Sequence, residues 1–348
     1  MTLTNAELAD LLYKESFAFE DQKARSLRRA ARQALVWPDE VVDLLEAGRS
    51  LTDLNQVGPF VARRIHEWVE EPPDLESDPL RTGFITMSRA RKVLAEHKDW
   101  RDELRGDLQM HSVYSDGSVS IAEMAGGAAK LGYEYIAMTD HSKGLKIAGG
   151  IDEVRLAEQR LEIDDVNAQL DDLDADLRVL RSIELNLSPT GDGDMEPSAL
   201  TDLDVVVGSF HSKLRVKDDQ TQRALGAVRN PHVQVIGHPT GRMFGIRKGV
   251  QAEWGRVLEE GRKRGKAFEI NAQPNRQDFS VEYLELARDA GVMLSIGTDA
   301  HSIDELYNVD LSLAAAILAG IPKEQVLNLR PLEGLLAWVE ESRLAATT

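Results

Sequence analysis

The chain has 348 residues, a formal net charge of −18, an apolar fraction of 42% and no cysteine. The lack of cysteine excludes disulfides and thiolate metal sites, so any transition metal must be held by His, Asp and Glu. No apolar run approaches the ~20 residues of a membrane helix and the polar start MTLTNAELAD does not read as a signal peptide, so no membrane partner and a cytoplasmic location are expected. The acidity argues against a surface that attracts nucleic acid throughout, though a local basic patch is compatible with it.

In chain order, helical spacing of apolar residues runs first across NAELADLLYKESFAFEDQKARSLRRAARQAL, with Asn5 as N-cap and Glu7 close behind it. Within it lies KARSLRRAAR, in which Lys23, Arg25, Arg28, Arg29 and Arg32 occur without an acid. Trp37-Pro38-Asp39-Glu40 breaks the pattern and opens another helix, which Gly48 ends. Residues 51–69 read as helix, tight turn at Val57-Gly58-Pro59, helix. The proline- and acid-rich stretch from Glu70 to Pro79 marks a linker. The expected organisation is a helical domain at 1–71, a linker and bridging helix at 72–104, and a larger domain at 105–348.

From residue 105 the rhythm changes. Short apolar runs, DLQMH, YEYIAMTDH, LRVLRSIEL, DVVVGSFH, VQVIGHP, KAFEINA and VMLSIGTDAH, alternate with longer amphipathic ones. Strand–helix units in such a series predict parallel crossovers and an α/β barrel. The last helix is expected in PLEGLLAWVEESRLAATT.

Five histidines, His111, His141, His211, His238 and His301, fall just after predicted strands, and the acids Asp116, Glu184 and Asp299 take equivalent places. In a parallel barrel the strand ends converge on one mouth. A single histidine there is an ordinary structural residue. Five with three acids would cost several kcal/mol each to bury without cations, so a site for two or three divalent ions, Zn, Mn or Fe, is expected.

These residues carry a resemblance. DLQMHSVYSDG, TDHS (139–142), Glu184, SFHS (209–212), GHP (237–239) and GTDAHS (297–302) resemble, in order, the motifs of the PHP (polymerase and histidinol phosphatase) phosphoesterase family. HPTGR (238–242) and EINAQPNRQD (269–278) resemble the branch attached to bacterial family X DNA polymerases, and residues 1–70 resemble the N-terminal helical region of those enzymes. The resemblance covers about 105–335 and implies a distorted (β/α)7 TIM-like barrel, the PHP fold, with a small all-α helix-hairpin-helix-like domain in front. The polymerase palm and fingers of that branch are not expected, because the sequence passes from linker to PHP region in about thirty residues.

The resemblance further implies three metals. One would be held by Gln109, His111, Glu184 and Asp299, a second by Asp116, His141 and His301, and a third by Glu184, His211 and His238, with Glu184 bridging. Gln109 departs from the pattern, which has histidine there. Its amide oxygen can ligate but carries no charge, so a looser first metal is expected. Clustered cations lower the pKa of a bound water and absorb charge at phosphorus. Arg242 and Arg276 are candidates to grip a phosphate through a guanidinium fork, and Lys143 as a point charge; each is equally readable as a solvated rim charge.

The function expected first is metal-dependent phosphodiester hydrolysis on single-stranded or nicked DNA, 3′ to 5′. The alternatives are a small-molecule phosphomonoesterase of the histidinol phosphatase type and a DNA-binding protein with a weakened site. Helix-hairpin-helix turns hold the DNA backbone through amides at a helix N-terminus, which makes Gly58, Arg63 and Arg64, with Lys23, Arg25, Arg28 and Arg29, candidate DNA contacts. Asn55-Gln56-Val57-Gly58-Pro59 has one glycine where such hairpins usually have two, and Pro59 removes an amide donor.

Overall fold

A computed structural model describes residues 3–75 and 78–346; Glu76 and Ser77 of the expected linker lie outside the described residues. Four helices open the chain: α1 (Asn5–Glu15), α2 (Gln22–Ala34), α3 (Val41–Glu46) and α4 (Pro59–Glu70). The N-cap of α1 is Thr4, not Asn5: Thr4 and Glu7 form a reciprocal capping box. Asn5 is buried instead and ties α1 to α3, donating to Asp39 O at 2.8 Å and accepting from Val41 N at 3.0 Å. In the hairpin before α4, Gln56 adopts φ 61°, the left-handed conformation that glycine takes without steric cost.

Packing divides the segment expected as linker and bridging helix. Phe84 completes the helical core with Leu8, Leu27, Trp37 and Ile65. Ile85 and the two helices that follow, α5 (Met87–Glu96) and α6 (Lys98–Asp102), belong to the barrel core. The single bridging helix is broken because His97 leaves the helical conformation, at φ −130° and ψ 53°. From the barrel side, Phe244 enters the helical core, edge-on to Tyr13 at 5.7 Å and to Phe84 at 5.2 Å. Burying a ring of that size contributes about 1.5–3 kcal/mol, so the two parts are packed together, not strung on a tether.

Seven parallel strands follow: β1 (Gly106–Met110), β2 (Tyr135–Met138), β3 (Arg178–Asn186), β4 (Val205–Ser209), β5 (Val235–Ile236), β6 (Ala267–Asn271) and β7 (Met293–Gly297), paired in chain order. The period of two splits each strand. Ile136, Ile183, Val206, Phe268 and Ile296 face the surrounding helices. Tyr135, Leu180, Val205, Val207 and Ala267 fill the interior at its base, where Leu335, Trp338 and Val339 of the last helix, Leu332–Ala346, plug it.

The seam between β1 and β7 closes by other means. At the mouth, His111 N donates to Ala300 O at 2.8 Å and Asp299 N to Gln109 O at 2.9 Å. Toward the base, the buried Asn328 side chain donates to Gly106 O and Ile296 O at 2.8 and 2.9 Å and accepts from Ile296 N at 2.6 Å. The outcome is a nearly closed (β/α)7 barrel whose interior is apolar below and polar at the strand C-termini. Among the described residues, no helix is long and apolar enough to cross a membrane.

Candidate metal centre

Strand alternation delivers the mouth residues. In β3 the interior phase that holds Leu180 continues to Glu184. In β6 it runs from Ala267 to Glu269 and Asn271. The histidines come from the first turns beyond the strands, where the backbone is fixed by its own hydrogen bonds. Buried Asp140 accepts from Ser112 N at 2.8 Å and from Gln159 Nε2 at 2.6 Å, locking the β1 loop that carries Asp116 to the β2 loop that carries His141.

Glu184 is wholly buried at the centre. Its Oε1 lies 2.7 Å from His238 Nε2 and 3.3 Å from His211 Nε2, and its Oε2 lies 2.8 Å from His141 Nδ1 and 3.7 Å from His111 Nε2. On the β7 side, Asp299 Oδ1 is 3.1 Å from His111 Nε2. Farther out, Asp116 Oδ1 lies 3.5 Å from His141 Nε2 and 3.3 Å from His301 Nε2. Among the described residues, two donor groups are tight enough to hold an ion: His111, Asp116, His141 and His301, and His141, Glu184 and His211. The structure thus places His111 with the Asp116 group as well as beside Asp299 and Glu184.

Several of these atoms meet without hydrogen-bonding. Among the described residues, His141 Nδ1 and Glu184 Oε2 have no hydrogen-bond partner, nor do His111 Nδ1 and His238 Nδ1, although all are buried. Imidazoles of His111 and His141, and of His111 and His301, stack at 4.4 Å. Buried polar atoms left unpaired are costly; nitrogen and oxygen donors converging in this way fit Zn, Mn or Fe. Outer partners orient the rings: His211 Nδ1 faces Asn186 Oδ1 at 3.2 Å and His301 Nδ1 faces the Asp299 carbonyl at 2.8 Å, leaving each Nε2 aimed inward.

The charges are arranged for cations. Burial alone would raise the Glu184 carboxyl, but His141, His211 and His238 outweigh it and hold it well below the ordinary range. Asp299 is likewise lowered against its burial, by Arg276 and His111. Burial, with Arg276 beside it, pushes His238 down to about 4, so its imidazole is neutral as a ligand requires. Burial opposes a charged His301, yet Asp116 and Asp299 raise it to about 9.

Glu269 is a site residue that the sequence reading did not single out. It is buried, and burial with the neighbouring Asp299 charge raises its pKa well above the ordinary value. Its Oε2 accepts the His238 amide at 2.6 Å and Asn271 Nδ2 at 3.1 Å. The Gln109 amide nitrogen, oriented as its neighbours require, donates to both Glu269 oxygens. The Gln109 nitrogen is thereby committed to Glu269, which leaves its carbonyl oxygen as the atom free to ligate. His238 and Asp299 both have positive φ, 26° and 57°, a conformation non-glycine residues hold only under constraint. The bond from His238 N to Glu269 is one such constraint. The sequence signal for Glu269 was an acid in phase with Ala267 inside an apolar strand.

The three phosphate candidates separate. Arg276 Nη1 lies 3.4 Å from Asp299 Oδ2, at the centre's edge. The Lys143 ammonium is held by Glu153 at 2.7 Å. Arg242 lies over the Phe84 ring at 3.8 Å and donates to Gly83 O at 3.0 Å. Among the DNA candidates, Arg25, Arg29 and Arg63 are exposed, and Lys23 and Arg29 line a groove with Gly58 at the start of α4. Arg64 is instead bound to Glu15 at 2.8 Å and to Glu67, and Arg28 donates to Ser16 Oγ at 3.1 Å. Arg64 is thus committed to two carboxylates, whereas Arg28 uses only its Nε on Ser16.

Residues 107–273 match the PHP domain. Over 241 residues the chain is 38% identical to the DNA polymerase/3′-5′ exonuclease PolX of Bacillus subtilis (strain 168), an alignment covering 69% of this chain and 42% of PolX. The chain therefore spans less than half the length of that relative. It is 26% identical over 239 residues to a probable phosphatase of Thermoanaerobacter sp. (strain X514), covering 64% of this chain and 89% of the relative. Histidinol phosphate phosphatase (HISK) from Lactococcus lactis subsp. lactis, solved with Zn, L-histidinol and phosphate, superposes with a TM-score of 0.47 at 18% identity, over 63% of this chain and 95% of that one. The chain thus contains a PHP domain at 107–273, with imidazoles and carboxylates converging at its barrel mouth.

Proposed function

We propose that the protein is a phosphodiesterase that shortens DNA strands from the 3′ end, with its N-terminal helices holding the strand. The observation that carries the hydrolytic half is Glu184, one buried carboxylate set between the imidazoles of His141, His211 and His238. Divalent ions held there would supply Lewis acidity and a water ionised near neutral pH. The chain's own part is to hold His238 neutral, to keep Glu184 and Asp299 ionised, and to place Arg276 where its guanidinium can take a phosphate oxygen.

The choice of DNA is supported by the likeness to PolX and by the exposed cations Arg25, Arg29 and Arg63 beside the Gly58 hairpin. A second reading, a small-molecule phosphomonoesterase, is favoured by the probable phosphatase of which this chain covers 89%. Incubation with Mn and 5′-labelled single-stranded DNA, in parallel with a chromogenic phosphate monoester, separates them. A ladder of shortened labelled strands is expected. Turnover of the monoester with intact DNA would replace the first reading by the second.

A further inference from the structure

The helical region and the barrel meet around a cleft of about 800 Å³, within the range of sites that enclose a ligand. Its walls come from α1, from residues 79–85, from Arg89 of α5 and from the loop that leaves β5. That loop begins with His238 at the metal mouth and reaches the cleft at Arg242. One continuous stretch of backbone therefore serves both places.

Five cations line the cleft, Arg81, Arg89, Arg242, Arg247 and Lys248, against three acids, Glu7, Asp10 and Glu282. Arg81 is paired with Asp10 and Asp78; the other four cations have no ion-pair partner among the described residues. Glu7 is held in the capping box with Thr4. Arg247 donates Nε to Gly241 O at 2.6 Å. Phe244 N, on the same loop, donates to Asn275 O at 2.8 Å. The next residue, Arg276, lies with its Nη1 3.4 Å from Asp299 Oδ2. The loop and the segment of Arg276 thus join the metal mouth to the cleft.

In a chain of net charge −18, a surplus of cations over acids gathered in a concavity raises the local potential and favours an anion. Aromatic rings accompany them. Tyr283 lines the wall and Phe84 lies beneath Arg242. Cations tracking a backbone beside aromatic faces are the means by which single strands are held without sequence preference. The cleft is of ligand size, too small for a duplex.

We infer that this cleft binds the sugar–phosphate backbone of a single-stranded nucleic acid on the 5′ side of the scissile bond, with Arg89, Arg247 and Lys248 on successive phosphates. The direction of the strand rests on the phosphodiesterase reading above; binding in the cleft does not.

The test is fluorescence anisotropy of the full chain with a labelled oligothymidylate in EDTA, across a series of salt concentrations. The triple variant R89Q/R247Q/K248Q is compared with a charge-matched control, K130Q/R178Q/R262Q, whose sites lie at the opposite rim of the barrel. The cleft variant is expected to bind at least tenfold more weakly, and its log Kd to depend less steeply on log salt by about 2, at roughly 0.7 per phosphate contact. The control is expected to stay within threefold of wild type. The single change Lys248→Glu, at an exposed side chain, should weaken binding at least threefold and guards against misfolding of the triple variant. Equal affinities for the cleft and control variants, or no binding by the wild type, would overturn the inference. Binding lost in the cleft variant while wild type leaves DNA intact would support the cleft and refute the nuclease. DNA shortened equally by wild type and cleft variant would do the reverse.

Discussion

Glu184 Oε1 stands 2.7 Å from His238 Nε2, although β4 lies between the strands that carry them. The other oxygen of the same carboxylate faces His141 Nδ1 at 2.8 Å. One charge thus serves ligands from both sides of the mouth. Replacing Glu184 by Gln keeps the shape and removes that charge. Metal affinity is expected to fall by more than the 10–100-fold typical of outer partners, read by metal titration, with loss of turnover. Affinity within threefold of wild type would show that Glu184 is not a ligand.

Glu269 is predicted to act with opposite signs in the two states of the protein. Without metal it is a carboxylate buried near Asp299 and Glu184, and its pKa is raised by that burial and crowding. With metal, its contacts to Gln109 and to the His238 amide hold two ligand residues in place. Glu269→Gln, which removes the buried charge and keeps an oxygen for the His238 amide, should therefore raise the melting temperature of the EDTA-treated protein and weaken metal binding about 10–100-fold. A fall in melting temperature without metal, together with unchanged affinity, would contradict this.

Much of the arrangement was legible in the sequence because ligand and strand sit side by side. Each buried run ends where a histidine or acid begins, as in VVVGSFH and VMLSIGTDAH. What was missed depends on partners remote in the chain. Lys143 reads as a free cation until Glu153 is seen against it, and Arg242 until Gly83 and Phe84 are. Glu269 hid inside an apolar strand. The helix Val309–Leu318 was not singled out because VDLSLAAAIL is apolar on almost every side and carries no helical period. It is buried all round, so no polar face marks it. The hairpin lacked its first glycine, yet Gln56 takes the left-handed conformation in its place.

Asn328 closes the β1–β7 seam with three hydrogen bonds, at 2.6, 2.8 and 2.9 Å, in a position of no exposure. Asn328→Ala leaves Gly106 O, Ile296 O and Ile296 N without that partner. Unsatisfied buried groups cost about 1–3 kcal/mol each, with some recovered by water. A loss of about 2–4 kcal/mol in urea unfolding is expected. A loss below about 0.5 kcal/mol, the scale of surface changes, would mean the seam is held elsewhere.

Lys266 is buried, with its ammonium donating to Asn230 O and Val233 O. Burial pushes its pKa down from 10.5 to about 8. Between those values the unfolded chain binds more protons than the folded one, so stability contributed at this position rises with pH. Compared with Lys266→Met, wild type should gain about 1–3 kcal/mol between pH 7.5 and pH 10.5. Parallel stability curves for the two proteins would remove the argument.

The central claim is that the mouth residues hold metal ions that hydrolyse a phosphoester. Its most direct measurement is hydrolysis of a 5′-labelled single strand by protein stripped with EDTA and then titrated with Mn or Zn, for wild type and for His211→Ala. Stripped wild type should be inactive, recover with at least two ions bound per chain, and yield progressively shorter labelled strands, while the variant stays at least a hundredfold slower. Hydrolysis that survives chelation, or a His211 variant as active as wild type at saturating metal, would contradict the account.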